Sequence, residues 1–211
     1  MPIAAVLTGD LIGSTEVEAT ITDLAMQALS GATESLARLT ASETRFARFR
    51  GDGWQVYLAD PAFVLRAVLI LLGSLRATGG LATRLSVAVG PVDRLGPAGL
   101  ADATGAAFTL SGRNLDKMLS IKTFTYAEPG RVSHWPSAVM NLAAWQAQQW
   151  TREQAEAAVL ALDLPRLTDQ ALATQLAITR QAFQSRLKGT GLMAMSNALL
   201  AFEINQTPQE P

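Results

Sequence analysis

A short Gly51-Asp52-Gly53 turn between two strand-like segments is the feature that most constrains the fold of this chain. Residues 45–50 alternate charged and apolar side chains and residues 54–58 resume an apolar pattern, so the turn predicts a β-hairpin. Helical periodicity over residues 18–39 precedes the hairpin, and a second helix is predicted from Asp60-Pro61 to about residue 78. A hairpin between two helices is typical of the split βαβ arrangement.

The segments around this core extend the pattern on both sides. A buried strand is predicted over residues 3–7, with Asp10 following its C-terminal end, and another strand is predicted over residues 81–89. A third helix over residues 106–119 and an edge strand over residues 123–126 follow. The resulting order βαββαβ predicts an α/β (α+β) ferredoxin-like domain over residues 1–130.

The C-terminal part of the chain has no strand pattern. Breaker residues at Glu128-Pro129-Gly130 and Trp135-Pro136 indicate a boundary, after which a second, all-α domain is predicted over residues 137–206. Three tryptophans are predicted to be core or interdomain anchors: Trp54, Trp145 and Trp150. A final helix is predicted from the apolar residues Met193, Met195, Leu199, Leu200 and Phe202.

Composition excludes several classes of protein. The 211 residues include no cysteine, which rules out a disulfide scaffold, a thiolate zinc site and a cysteine nucleophile. The longest apolar stretch, residues 62–72, is interrupted by Arg66 and is too short to span a bilayer. We therefore expect a cytoplasmic protein without a membrane partner. The net charge of −1 favours neither the presence nor the absence of a nucleic-acid partner.

Two aspartates are the first candidates for chemistry. In a ferredoxin-like sheet the first strand lies beside the hairpin, so Asp10 and Asp52 are expected to face each other next to the turn formed by Ile12, Gly13, Ser14 and Thr15. Paired carboxylates suit Mg²⁺ or Mn²⁺ bound with a nucleoside triphosphate, and free turn amides suit phosphate oxygens. Each aspartate alone also has a structural explanation as a turn former.

Three segments carry a resemblance to a known family. LTGDLIGST, RFRGDGWQVY and DATGAAFTLSGR occur in the order and spacing of the class III nucleotidyl cyclase motifs. They resemble still more the bacterial SatD-like family, in which a cyclase-like domain precedes a helix-turn-helix. The resemblance covers residues 3–128. It implies that Asp10 and Asp52 hold the metal ions and that Arg48 and Asp102 recognise the base.

The third of these segments departs from the cyclase pattern at one position. The resemblance implies that Arg113 stabilises the pentavalent phosphorus, whereas Thr109 replaces the transition-state asparagine. A threonine hydroxyl has a shorter reach, and the loss of one preorganised donor costs on the order of a hundredfold in rate. Because cyclases build the site from two protomers, the resemblance also implies a homodimer.

A second constellation lies near the C-terminus. Residues 168–176 and 180–188 are predicted to be two helices joined by Ala177-Ile178-Thr179, which resembles the bacterial helix-turn-helix pattern. Five residues are predicted to point outward from the second of these helices: Arg180, Gln181, Gln184, Ser185 and Lys188. Arginine and glutamine read base edges, whereas serine and lysine hold phosphates, and residues 179–202 contain no acidic side chain. Use of the motif only for packing or dimerisation is the alternative.

Two functions from different classes follow. The leading hypothesis is a DNA-binding transcriptional regulator whose cyclase-like domain senses a nucleotide and alters the separation of two recognition helices. The competing hypothesis is an active class III-type cyclase that makes a cyclic nucleotide by two-metal catalysis. A third is a scaffold in which both sites are vestigial.

Overall fold

The computed structural model describes residues 1–49, 51–130, 134–163, 165 and 167–205. The sheet and the helices packed on it are β1 (Ile3–Leu11), α1 (Ala19–Thr40), β2 (Thr44–Phe49), β3 (Gly53–Leu58), α2 (Val64–Ala77), β4 (Thr83–Pro91), α3 (Ala106–Asp116) and β5 (Phe124–Ala127). The remaining helices are α4 (Trp135–Gln148), α5 (Arg152–Asp163), α6 (Asp169–Gln175), α7 (Arg180–Thr190) and α8 (Leu192–Asn205). Short 3₁₀ turns lie at Ser14–Glu16 and Pro61–Phe63.

The five strands form one sheet in the order β2-β3-β1-β4-β5. The pairs β2–β3, β3–β1 and β1–β4 are antiparallel, and β5 pairs with β4 in parallel at the edge of the sheet. This confirms the βαββαβ order, the hairpin and the edge strand that the sequence predicts. The first strand is longer than expected, because residues 8–11 pair with β4 and most of them also pair with β3. Asp10 therefore lies within a strand, between Gly53 on one side and Arg84 on the other.

The two faces of the sheet are covered differently. Side chains such as Leu7 and Trp54 are buried in the main core with α1 and α2. Alternate residues such as Val6 point to the opposite face, where Ala107 and Phe108 of the single helix α3 pack against them. Asp10 has the same parity as Val6, so its side chain lies on the α3 face.

The C-terminal helices join the main core along α2. Trp150 is fully buried there with residues of α4, α5 and α8, and Trp54 is also fully buried, as predicted for both. The prediction for Trp145 is wrong, because its side chain is 61% exposed. The domain limits 1–130 and 137–206 remain predictions, and residues 131–133 lie outside the described residues. The Trp135-Pro136 segment begins α4, because proline is well accommodated in the first turn of a helix.

Helices α6 and α7 cross over a small core of their own. Leu172, Ala173 and Phe183 are buried there together with Ala157 of α5. Thr179 caps α7, as predicted, and its hydroxyl accepts a hydrogen bond from the Ala182 amide at 3.1 Å. Within the described parts of the chain, no helix combines the length and the apolar character needed to cross a membrane.

Candidate functional site

A cleft of 380 Å³ opens at one end of the sheet, where β1 runs into the turn at residues 12–15. Its lining brings together Asp10, Asp52 and all four of the predicted turn residues. Arg84 of β4 and Lys122, just before β5, line the same cleft and were not predicted. The cleft therefore combines two carboxylates with two cationic side chains.

Arg84 is the residue that sequence reasoning missed. Its Nε donates to Asp10 Oδ1 at 2.9 Å, and its Nη2 bonds to Asp10 Oδ2, so the guanidinium binds both carboxylate oxygens. The hydrogen bond to Asp10 raises the pKa of the Arg84 guanidinium. The sequence does contain a signal for the position of Arg84. Leu85 and Val87 alternate on one face of the predicted strand, so Arg84 must lie on the opposite face.

Buried side chains of β3 and β4 hold the end of β1 in place. Thr83 Oγ1 bonds to the carbonyl oxygen of Asp10 at 2.7 Å and accepts a hydrogen bond from Trp54 Nε1 at 3.1 Å. A Cβ atom at Gly9 would lie 2.5 Å from the Trp54 ring, so the indole fits against β1 only because Gly9 has no side chain. These buried contacts fix the backbone that carries Asp10.

The turn after β1 presents polar groups to the cleft. Gly13 has a left-handed backbone with φ of 74°, and the Ser14 hydroxyl donates to Asp52 Oδ2 at 2.7 Å. The Ile12 amide donates to the carbonyl oxygen of Ala82 at 2.8 Å and so is not available to a ligand. Among the described residues, the amides of Gly13, Ser14 and Thr15 have no protein acceptor. Phosphate binding by this turn remains a prediction for those three amides.

The residues fit a divalent ion in chemical type. Two carboxylates and the Ser14 hydroxyl are hard oxygen donors of the kind that Mg²⁺ and Mn²⁺ prefer. Both oxygens of Asp10, however, bind Arg84, and one oxygen of Asp52 accepts the Ser14 hydrogen bond. The described residues contain no cluster of three or more His, Asp or Glu side chains suited to a metal. An ion bound here must therefore compete with Arg84 for Asp10.

The two residues predicted to recognise the base are not brought together within one chain. Arg48 is in register with Trp54 on the α1 face, where its Nη1 bonds to Asp23 Oδ1 at 2.6 Å. It lines a neighbouring cleft of 340 Å³ that also contains Ser14 and Asp52. Asp102 lies exposed in the loop before α3, where its carbonyl oxygen accepts from Arg94 Nε at 3.2 Å.

The two residues predicted to act on the transition state lie on α3. Thr109 and Arg113 are both exposed and are four residues apart, so they share one face of the helix. Neither belongs to the lining of the Asp10 cleft. One chain by itself therefore does not place them beside the paired aspartates.

The five residues predicted to contact DNA share one side of α7. All five side chains are exposed, whereas Phe183 on the opposite side is fully buried. One of them is partly engaged, because Gln184 Nε2 donates to Asp169 Oδ2 at 2.8 Å. The structure thus places the five side chains together at the surface.

Two hydrogen bonds, joined by the backbone of residues 148–150 at the end of α4, lie between the cleft wall and the end of α7. The Thr123 hydroxyl, on the cleft wall, donates to Gln148 Oε1 of α4 at 2.8 Å. Two residues further on, the buried Trp150 indole donates to the carbonyl oxygen of Thr190 at 2.8 Å, at the end of α7. Arg76 of α2 holds the Trp150 carbonyl oxygen through two more hydrogen bonds, of 3.0 and 2.8 Å.

Neither a protein-family model nor a curated protein matches this chain. Among solved structures, it is similar to the guanylyl cyclase Cya2, at 16% identity and a TM-score of 0.40, over 56% of this chain and 71% of that one. It is similar to a bacterial light-regulated adenylyl cyclase, at 16% identity and a TM-score of 0.43, over 59% and 74%. It is also similar to adenylate cyclases from Trypanosoma brucei, at 15% identity and a TM-score of 0.37, over 54% and 67%.

Proposed function

We propose that this chain is a DNA-binding transcriptional regulator that binds a nucleotide in the Asp10–Asp52 cleft and DNA through α7. The observation that supports it most is the connection between the two sites. Thr123 of the cleft bonds to α4, and Trp150 after α4 bonds to the end of α7. A ligand that moves the cleft wall therefore acts on helices that position the recognition face.

The cleft suits the phosphate chain of a nucleotide. Arg84 and Lys122 supply positive charge, and the free amides of the turn at residues 13–15 supply donors. Asp10 and Asp52 would hold a divalent ion, which would neutralise part of the triphosphate charge when bound. Without a ligand, Arg84 and Asp10 neutralise each other, so neither charge is left without a partner at the wall of the cleft.

Helix α7 suits the major groove of DNA. Arg180 and Gln181 lie in its first turn and Lys188 in its last, so base-reading and phosphate-binding groups are spread over its outer side. The second helix of such a motif lies in the groove with its N-terminal residues at the base edges. A homodimer would present two such helices to two half-sites.

The first experiment measures binding at both sites. A thermal-shift series with ATP, GTP, CTP and UTP, each with Mg²⁺ or Mn²⁺, is expected to show a metal-dependent rise in melting temperature for at least one nucleotide. Asp10→Ala is expected to abolish that rise, whereas Asp60→Ala, outside the cleft, is expected to retain it. No rise with any nucleotide would contradict the nucleotide half of the proposal.

DNA binding is tested by retention of genomic fragments on the immobilised full chain. Arg180→Ala with Lys188→Ala is expected to abolish retention, because two cationic contacts to the duplex are lost. The matched control is Lys117→Ala with Arg152→Ala. It removes the same charge, from the residue that follows α3 and from the first residue of α5. Equal loss in both double variants would contradict a specific role for α7.

A cyclase activity is the second candidate, and one observation favours it. Thr109 and Arg113 share an exposed face of α3, as a half-site offered to another protomer would require. Product analysis of the stabilising mixtures separates the two functions: a cyclic nucleotide indicates an enzyme, and intact triphosphate indicates a sensor. Thr109→Asn is expected to raise turnover if the site is catalytic, by restoring a preorganised donor.

A further inference from the structure

Helix α4 carries an exposed stripe that the nucleotide and DNA sites do not use. Leu142 and Trp145 are exposed near its centre, and Ala138 and Gln149 extend the same side of the helix, with a spacing of four, three and four residues. Leu142 is 68% exposed and Trp145 is 61% exposed, although both are large apolar side chains. The opposite side of α4 is buried through Met140. The helix therefore carries large apolar side chains on both its buried and its exposed side.

The stripe lies in a segment without charge. Residues 135–151 contain no Asp, Glu, Lys or Arg, although α4 is a surface helix. Surface helices of soluble proteins normally carry charged residues on the solvent side. Depletion of charge together with an exposed Trp is instead typical of the centre of a protein–protein interface.

The neighbouring loop before β5 enlarges this surface. Ile121 is 87% exposed and Leu119 is 62% exposed. Ile121 and Trp145 line one shallow groove of 190 Å³ together with Asn141, and Lys122 of the cleft lies at the same groove. The apolar surface thus extends from α4 onto the segment that leads to the cleft.

We propose that α4 pairs with α4 of a second copy of this chain, antiparallel about a twofold axis between Leu142 and Trp145. In a twofold interface the same patch faces itself, so a patch with charges of one sign would repel its copy, whereas an uncharged apolar stripe can pack against itself. With the axis at this point, Leu142 of one copy faces Trp145 of the other, and Ala138 faces Gln149. The stripe spacing is that of the seam of paired helices.

The cyclase resemblance implies a different interface, in which the paired aspartates of one copy meet α3 of the other copy. The α4 interface does not rest on nucleotide or DNA binding. It does have a consequence for α7, because Trp150 follows α4 directly and bonds to Thr190. Pairing through α4 would hold the two copies of α7 at a set separation.

Sedimentation velocity of the full chain tests the proposal. The wild type is expected to sediment as a dimer, and Leu142→Lys and Trp145→Glu are each expected to sediment as monomers. Met193→Lys, at a position on α8 that is 80% exposed, is the matched control and is expected to remain dimeric. Circular dichroism of each variant confirms that the fold is kept.

Mixing the two monomeric variants gives a sharper test. In a mixed pair the ammonium group introduced by Leu142→Lys in one copy would face the carboxylate introduced by Trp145→Glu in the other. An equimolar mixture of the two variants is therefore expected to form heterodimers. A monomeric wild type would overturn the proposal, as would a dimer that both charged variants leave intact. Binding of a monomeric wild type to phosphatidylglycerol vesicles, lost in Trp145→Glu, would assign the stripe to lipid and also overturn it.

Discussion

Arg84 and Asp10 lie directly opposite each other on β4 and β1 and are joined through both carboxylate oxygens, with Nε 2.9 Å from Oδ1. Asp10 can therefore bind a metal ion only if the Arg84 guanidinium releases its carboxylate. The pair is partly exposed, so its contribution to stability is modest, and we expect its main effect to be on ligand binding in the cleft.

Replacement of Arg84 tests this relationship. Arg84→Gln is expected to lower the free energy of unfolding by up to about 1 kcal/mol, the range for a partly exposed ion pair. It is also expected to weaken nucleotide binding and to strengthen Mn²⁺ binding in the absence of nucleotide, because Asp10 loses its competitor. Urea unfolding and isothermal titration calorimetry measure the three effects. Arg84→Lys keeps the charge and is expected to show nucleotide and Mn²⁺ affinities between those of the wild type and Arg84→Gln. An unchanged Mn²⁺ affinity in Arg84→Gln would contradict competition between Arg84 and the metal ion for Asp10.

The link between cleft and helices is tested at Thr123. Thr123→Val removes the hydroxyl that donates to Gln148 Oε1 but keeps the side-chain volume. We expect nucleotide to stabilise this variant as it does the wild type, while the effect of nucleotide on DNA affinity is lost. Fluorescence anisotropy of a retained DNA fragment, with and without nucleotide, measures that effect. The matched control is Thr125→Val on β5, and a wild-type response in Thr123→Val would show that the link is not required.

The buried indole of Trp150 anchors the end of α7. Trp150→Phe keeps most of the packing but leaves the Thr190 carbonyl oxygen without its donor, at a cost of about 1–3 kcal/mol for a buried unsatisfied group. We expect faster amide hydrogen exchange near residue 190, measured by mass spectrometry. Trp54→Phe removes a comparable buried hydrogen bond, to Thr83, and is expected to leave hydrogen exchange at the end of α7 unchanged. Equal exchange at α7 in the two variants would argue against a local anchor.

The turn between α6 and α7 contains a strained alanine. Ala177 has a φ of 53°, in the left-handed region that glycine adopts without a Cβ penalty. Ala177→Gly is expected to stabilise the protein by about 0.5–1 kcal/mol, because the relief of strain exceeds the entropy cost of glycine. Ala171→Gly, within α6, is expected to destabilise by about 1 kcal/mol. Thermal unfolding gives both values, and a lower melting temperature for Ala177→Gly would contradict the strain.

Local patterns were sufficient for much of the architecture. The Gly51-Asp52-Gly53 turn predicted the β2–β3 hairpin, and the threonine before α7 predicted its cap, because both signals depend on neighbouring residues only. The end of β1 was missed for the opposite reason. Thr8 and Asp10 are polar and end the apolar run, yet they are held in the strand by pairing with β3 and β4.

The sequence by itself determined the order of strands and helices, the turn that presents Asp52 and the outward face of α7, since hydrophobic periodicity and capping are local. Only the tertiary structure decided that Arg84 neutralises Asp10, because cross-strand register joins residues 74 positions apart. It also decided that Trp150 is buried while Trp145 is exposed, because Trp150 packs against α2 just after α4 ends, whereas Trp145 lies on the exposed side of α4. The candidate chemistry was thus visible in the sequence, whereas the charge balance of the cleft and its link to α7 came from packing.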